Sequence, residues 1–194
     1  MKGYYKNPEA NAEVFDGDWF KTGDLGRIDD DGYIHITGRK KEIYVLSGGK
    51  NVAPLVVEET MKSIPVISQV FLVGDGRKFC SALVTLDVGV ILRDNLGMNP
   101  DKVPRDPMEQ IEELERRGHK LSDFVESEEV RSDIESQISE LNKRFMNPEQ
   151  IKKFTILPRD LNIDSGELTP TLKIRRKQIR ENWADEIEAM YSGA

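Results

Sequence analysis

Apolar positions change period along the chain, and each change predicts an element. Residues 25–28 and 33–37 are short extended runs separated by Asp29-Asp30-Asp31-Gly32, where aspartates closing on glycine signal a β-hairpin. The charged Arg39-Lys40-Lys41-Glu42 follows at once and reads as a boundary between packed units. Residues 43–46 form a short apolar strand ending in Ser47-Gly48-Gly49-Lys50-Asn51, where paired glycines permit positive φ. Residues 52–63 read as a helix entered through Pro54, with Glu58 and Glu59 as acids in its early turns. Residues 70–73 and 81–86 then predict two strands joined by the Gly74-Asp75-Gly76-Arg77-Lys78 turn.

Residues 88 to about 150 become polar and helical, with Pro100, Pro104, Pro107 and Gly118 as breakers. Val130, Ile134, Ile138, Leu141 and Phe145 fall at helical spacing and predict the best helix, 130–145, within what reads as a helical insertion. Strand character returns at 153–157, a loop covers 164–171, and a terminal helix buries Ile179, Trp183, Ile187 and Met190. The fold class is α+β, a small domain with a short β-sheet flanked by helices.

Composition narrows the function classes. Hydrophobic residues at 38% and charged residues at 32% suit a packed, water-facing domain. Residues 101–150 hold 14 acidic and 8 basic side chains, so most of the net charge of -7 is local to that block. That surface argues against a nucleic-acid binder, which needs clustered cations. No apolar run approaches the roughly 20 residues of a membrane span. The single cysteine, Cys80, lies in an apolar strand, reads as packing, and excludes an internal disulfide. A basic cluster, Lys173, Arg175, Arg176, Lys177 and Arg180, stands beside Thr171. Taken alone, it is a solvated helix face.

Four ordered motifs carry more than any one of them. Trp19-Phe20-Lys21-Thr22-Gly23-Asp24, read alone, is a turn, and Arg39 alone is a surface ion-pair partner. Together with Asp31-Gly32-Tyr33-Ile34 through Gly38-Arg39, the stretch from Ser47 to Glu59, and Gly166-Glu167-Leu168-Thr169-Pro170-Thr171-Leu172-Lys173, the chain resembles the C-terminal portion of the adenylate-forming, AMP-binding acyl-CoA synthetases. Its form is most like the long-chain, bubblegum-type fatty-acid ligases.

The resemblance implies the following roles. Asp24 and Arg39 would contact the ribose of ATP, a carboxylate being able to accept both sugar hydroxyls. Lys41 would be a hinge. Gly48, Gly49 and Lys50 would line the pantetheine tunnel of CoA, where the absence of a Cβ admits a slim arm. Lys173 would be the catalytic lysine, bridging the attacking carboxylate and the α-phosphate. The arginines after it are open to a second reading, as contacts to CoA phosphates.

Residues 1–38 would then be a β-rich remnant of a large N-terminal domain, 39–42 the hinge, and 43–194 a mobile C-terminal domain. The family's phosphate loop, acyl pocket and Mg2+ site are expected upstream, with no metal held by this chain, so it is expected to be inactive alone. The implied partners are a fatty acid, ATP with Mg2+, CoA and the rest of the same polypeptide. A reducing, cytoplasmic setting is expected, with peripheral approach to the inner membrane face. Two other classes stay open: a luciferase-like or peptide-synthetase adenylation domain, and a noncatalytic nucleotide-binding or interaction module.

Overall fold

Strands β7 (Ile67–Val73) and β8 (Cys80–Leu86) pair antiparallel, and β9 (Ile151–Ile156) joins the far side of β8 in parallel. The sheet order is therefore β7-β8-β9 in the computed structural model, which describes residues 1–193. Every residue of β8 is buried because both faces of the sheet are covered. On one face Val70, Leu72, Ala82 and Val84 pack with Val57 and Met61 of α2 (Pro54–Met61). On the other, Phe71, Val73 and Leu83 meet Leu168, Ile179, Trp183, Ile187 and Met190. Two-sided burial explains why these strands read as nearly continuous apolar runs.

A parallel pair needs a long crossover. Residues 88–150 supply it through α3 (Val88–Val90), which runs into a π turn at Ile91–Asn95, then α4 (Pro107–Arg116), α5 (Leu121–Val125) and α6 (Glu128–Asn142). Leu114, Val130, Ile134 and Ile138 from this block complete the first core. Two of the prolines read as breakers act as initiators. Pro100 opens a 3-10 turn and Pro107 opens α4, where a helix needs no N–H from its first residue. The Asp106 side chain caps α4 through the N–H groups of Met108 and Glu109.

The terminal helix is two helices, α7 (Arg176–Asn182) and α8 (Ala184–Tyr191). They break at Trp183 (φ -117, ψ 33), whose indole N–H is committed to a buried carboxylate, yet the predicted stripe stays on one core.

Residues 1–39 add elements that periodicity alone does not reveal: α1 (Pro8–Val14) and a small ladder of β1 (Phe15–Asp16) with β2 (Trp19–Phe20). The predicted hairpin is β3 (Asp24–Ile28) with β4 (Ile34–Arg39). Asp29 Oδ1 accepts the N–H groups of Asp31 and Tyr33 to shape its turn. The apolar side chains here have no cover: Trp19 is 81%, Ile28 71% and Ile34 72% exposed. A 3-10 turn at Lys40–Glu42 leads to β5 (Tyr44–Val45) and β6 (Asn51–Val52), where the first core begins.

Candidate functional site

The β3–β4 register puts Asp24 directly opposite Arg39. Gly23, at φ +79, makes the turn that delivers Asp24, and the Asp24 N–H donates to Thr22 Oγ1 at 3.0 Å. Arg39 Nε stands 3.1 Å from Asp24 Oδ1 in an ion pair, so two residues fifteen apart in sequence form one polar site. Among the described residues neither carboxylate oxygen of Asp24 accepts a hydrogen bond, and its side chain is 29% exposed, which leaves acceptors at the surface. Such a carboxylate can take hydroxyl donors from a ligand.

The 3-10 turn that follows is tied on both sides. The Lys40 N–H donates to the Gly23 carbonyl at 2.8 Å, joining it to the hairpin. Glu42 reaches the other way, to Arg176 Nε at 3.4 Å. Lys41 lies between these two attachments. It lines a depression together with Tyr44, Asp75, Ile174, Arg176 and Arg180, so the turn and the segment just after Lys173 converge.

Gly48 and Gly49 form the tip between β5 and β6. Gly49 has φ +73, and nothing lies within 4 Å of a Cβ at either glycine. The tip is open, while its base is fastened to the 74–77 turn: the Ser47 N–H donates to the Arg77 carbonyl, and the Gly76 N–H to the Val45 carbonyl, each at 2.9 Å. Lys50 closes the tip, its carbonyl accepting from the Leu46 N–H at 2.9 Å.

Lys173 sits on a separate hairpin, bridged by Leu168 and Ile174. Its N–H donates to Thr169 Oγ1 at 3.0 Å, and its carbonyl accepts from the Thr169 N–H at 2.9 Å. Leu172 before it has φ +58, a strained conformation for a branched side chain. The Lys173 side chain is exposed, and its ammonium group has no protein partner among the described residues. It is therefore a mobile point charge on a fixed loop, suited to neutralising anions.

Ion pairs with buried carboxylates flank that hairpin. Before it, Glu167 is 0% exposed and accepts both guanidinium nitrogens of Arg159, at 2.7 and 2.8 Å. Burial by itself would raise its carboxyl, but hydrogen bonds from Arg159, Ser165, Asn182 and the Asn162 N–H outweigh that and hold it at about 2. After it, Arg176 donates to both oxygens of Glu58 at 2.7 Å and to the Tyr44 hydroxyl at 3.1 Å. Burial would lower the Arg176 guanidinium, but the bonds and charge of Glu58 raise it well above its ordinary range.

Arg176 is thus not a solvated helix face, because its guanidinium is held by Glu58, Tyr44 and Glu42. Glu58 likewise does more than favour a helix N-terminus. It shares the buried stripe Pro54, Val57, Glu58 and Met61, and an acid at a position with that spacing was the sequence signal for an internal partner. Nothing local in the sequence points to Arg159 as the partner of Glu167.

The structure brings Asp24 to Arg39, and Lys41 to the neighbourhood of Ile174 and Arg176. It places the Gly48-Gly49 tip and Lys173 on different loops. Among the described residues, no group of three or more His, Cys, Asp or Glu side chains is placed to hold a metal ion. Among them, too, no helix is long and apolar enough to cross a membrane.

A family profile described as the AMP-binding enzyme C-terminal domain matches residues 41–123 and 114–194. A long-chain-fatty-acid–CoA ligase of Mycobacterium tuberculosis is 40% identical over 197 residues, covering 99% of this chain and 30% of the relative. A human ligase of the same description is 37% identical over 194 residues, covering 97% of this chain and 26% of the relative. The chain thus spans about 30% or less of the length of these relatives. Among solved structures, the adenylation domain of a carboxylic acid reductase from Segniliparus rugosus, in complex with AMP and a co-purified carboxylic acid, superposes with a TM-score of 0.67. It is 25% identical, over 98% of this chain and 26% of that one.

Proposed function

The chain belongs to the family of AMP-binding enzyme C-terminal domains, and on that premise we propose that it is the C-terminal part of an AMP-forming long-chain fatty acid–CoA ligase. The observation that carries this reading is the 40% identity to such a ligase across 99% of the chain. The parent polypeptide joins a fatty acid to ATP, giving acyl-adenylate and pyrophosphate, and then transfers the acyl group to the thiol of CoA with release of AMP.

In the first step a carboxylate oxygen attacks the α-phosphorus, bringing two anions together. The unpaired ammonium of Lys173 lowers that repulsion and orients the attack. Asp24, ion-paired with Arg39, receives the ribose hydroxyls. In the second step the Gly48-Gly49 tip, open to solvent, lets the pantetheine arm approach the backbone, with Lys50 beside it. Since Lys173 and the tip stand on different loops, the two steps call for two placements of the domain. Lys41, held between an attachment to the hairpin and one to Arg176, is the pivot.

The uncovered Trp19, Ile28 and Ile34 are the surface that the remainder of the polypeptide covers. That remainder supplies the phosphate-binding loop, the acyl pocket and the Mg2+ that accompanies ATP, and this segment alone is inactive. A fatty substrate brings the enzyme to the membrane surface from the cytoplasmic side.

The test uses the full-length polypeptide. Lys173→Ala is expected to nearly abolish pyrophosphate–ATP exchange driven by fatty acids while sparing CoA attack on preformed acyl-adenylate. Equal loss of both steps removes Lys173 from the assignment, and a panel of acyl chains read by thioester formation sets the substrate range. The likeness in fold to a reductase adenylation domain favours one second reading, an adenylate-forming domain whose acyl group goes to an acceptor other than free CoA. Thioester formation with free CoA decides against it.

A further inference from the structure

The hairpin that carries Lys173 is short, and one carboxylate organises its base. Glu167 receives Arg159 through both terminal nitrogens, Ser165 Oγ at 2.7 Å, the Asn162 N–H at 3.2 Å, Asn182 Nδ2 at 3.1 Å and Trp183 Nε1 at 2.8 Å. Six donors thus come from the loop before the hairpin and from the end of α7. Through its own carbonyl Glu167 also accepts the Arg175 N–H at 2.8 Å, tying the strand that enters the hairpin to the strand that leaves it. The Arg159 guanidinium lies over the Trp183 ring, 5.0 Å from its centroid, which fixes the cation in turn.

An ion pair with a buried carboxylate is an inefficient way to gain stability, since well-packed apolar residues often do as well. What a fully satisfied charged network adds is directional definition. The strained backbone at Leu172 lies inside the turn that Thr169 and Lys173 close with their hydrogen bonds, and the Arg175–Glu167 hydrogen bond closes the hairpin beneath it.

We propose that Glu167, together with Arg159, is a positioning pair that sets the height and direction of Lys173 for acyl-adenylate formation. This rests on the reading of Lys173 given above. Positioning is decisive for such a step, because a displacement of about 1 Å from a distant substitution costs about a hundred-fold in rate. The consequence is one-sided, for the Gly48-Gly49 tip is fastened to the 74–77 turn instead.

The experiment compares Glu167→Gln, Arg159→Met, Trp183→Phe and Lys173→Ala in the full-length polypeptide. It measures pyrophosphate–ATP exchange and, separately, thioester formation from preformed acyl-adenylate. Glu167→Gln and Arg159→Met are expected to lower exchange about ten- to hundred-fold and to leave the second step within about two-fold. Equal loss in both steps, or loss in neither, from variants that unfold cooperatively overturns the proposal. Should those two fail to fold, Trp183→Phe removes a single donor to Glu167 while keeping an aromatic side chain there. A several-fold loss confined to exchange supports the pair, and an unchanged or two-sided result overturns it. If Lys173→Ala shows the one-sided loss and the Glu167 and Arg159 variants do not, only the positioning role falls. If Lys173→Ala itself does not, the functional reading falls and the positioning role with it.

Discussion

Arg176 holds both carboxylate oxygens of Glu58 at 2.7 Å across 118 residues of sequence, while Glu58 also accepts the Leu72 N–H at 2.9 Å. Helix α2, strand β7 and the start of α7 meet at this one pair, whose side chains are 3% and 16% exposed. Removing one partner strands the other charge in the interior, at a cost of about 3–5 kcal/mol. Glu58→Ala should lower the unfolding free energy in urea by that amount, and Glu58→Met with Arg176→Met together should lower it by less. A change under about 1 kcal/mol for the single variant would contradict a buried pair.

Acid should weaken the fold through Glu167. Its carboxyl lies at about 2 against an ordinary 4.5, so its folded value is depressed. The stabilisation is complete above pH 4.5 and is lost as pH falls through about 2. A difference of that size corresponds to about 3 kcal/mol. Thermal unfolding followed from pH 5 down to 2 should therefore decline more steeply for the wild type than for Glu167→Gln. Parallel declines would show that this carboxylate does not govern acid stability.

Cys80 should be inert in the folded protein. Burial, and then the negative charge of Glu149, push its thiol up to about 11, and its sulfur lies 3.3 Å from the Pro148 carbonyl. Only the thiolate reacts, and at pH 8 about one molecule in a thousand carries it. A thiol–disulfide reagent should label the native protein slowly and the urea-unfolded protein at once. Rapid native labelling would place Cys80 outside the core.

A proline at Lys41 should separate the two half-reactions. The attachments at Lys40 and Glu42 leave the backbone of residue 41 to absorb a rotation, and proline fixes its φ. In the full-length polypeptide, Lys41→Pro is expected to impair one half-reaction far more than the other. Unchanged kinetics in both would move the pivot elsewhere.

Asp24→Ala should raise the KM for ATP without unfolding the domain, because the side chain packs against no core. Hydrogen bonds to a charged group contribute about 1.5–3 kcal/mol each, so losing two corresponds to an increase of about a hundred-fold or more. A KM for ATP that does not move would take the ribose contact away from Asp24.

Much of the architecture was legible in the chain itself. The stripe Ile179, Trp183, Ile187 and Met190, the two strands around the 74–78 turn and the hairpin closing on Gly32 are local patterns, set by the 3.6- and 2-residue periods of the backbone. The order of motifs was equally readable, because residue identity is enough to recognise it.

Other features depended on what lies across space. Pro100 and Pro107 read as breakers but start helical segments, since proline stops a helix only when a preceding turn needs its N–H. Trp183 sits in a perfect helical stripe yet breaks the helix where its indole meets Glu167. Arg176 and Lys173 belong to one basic run, and two residues separate a largely buried, ion-paired cation from an exposed one. Periodicity and motif order follow from residue identity alone. Which charges are neutralised depends on the fold, because the desolvation and pairing of a charge are set by partners more than a hundred residues away.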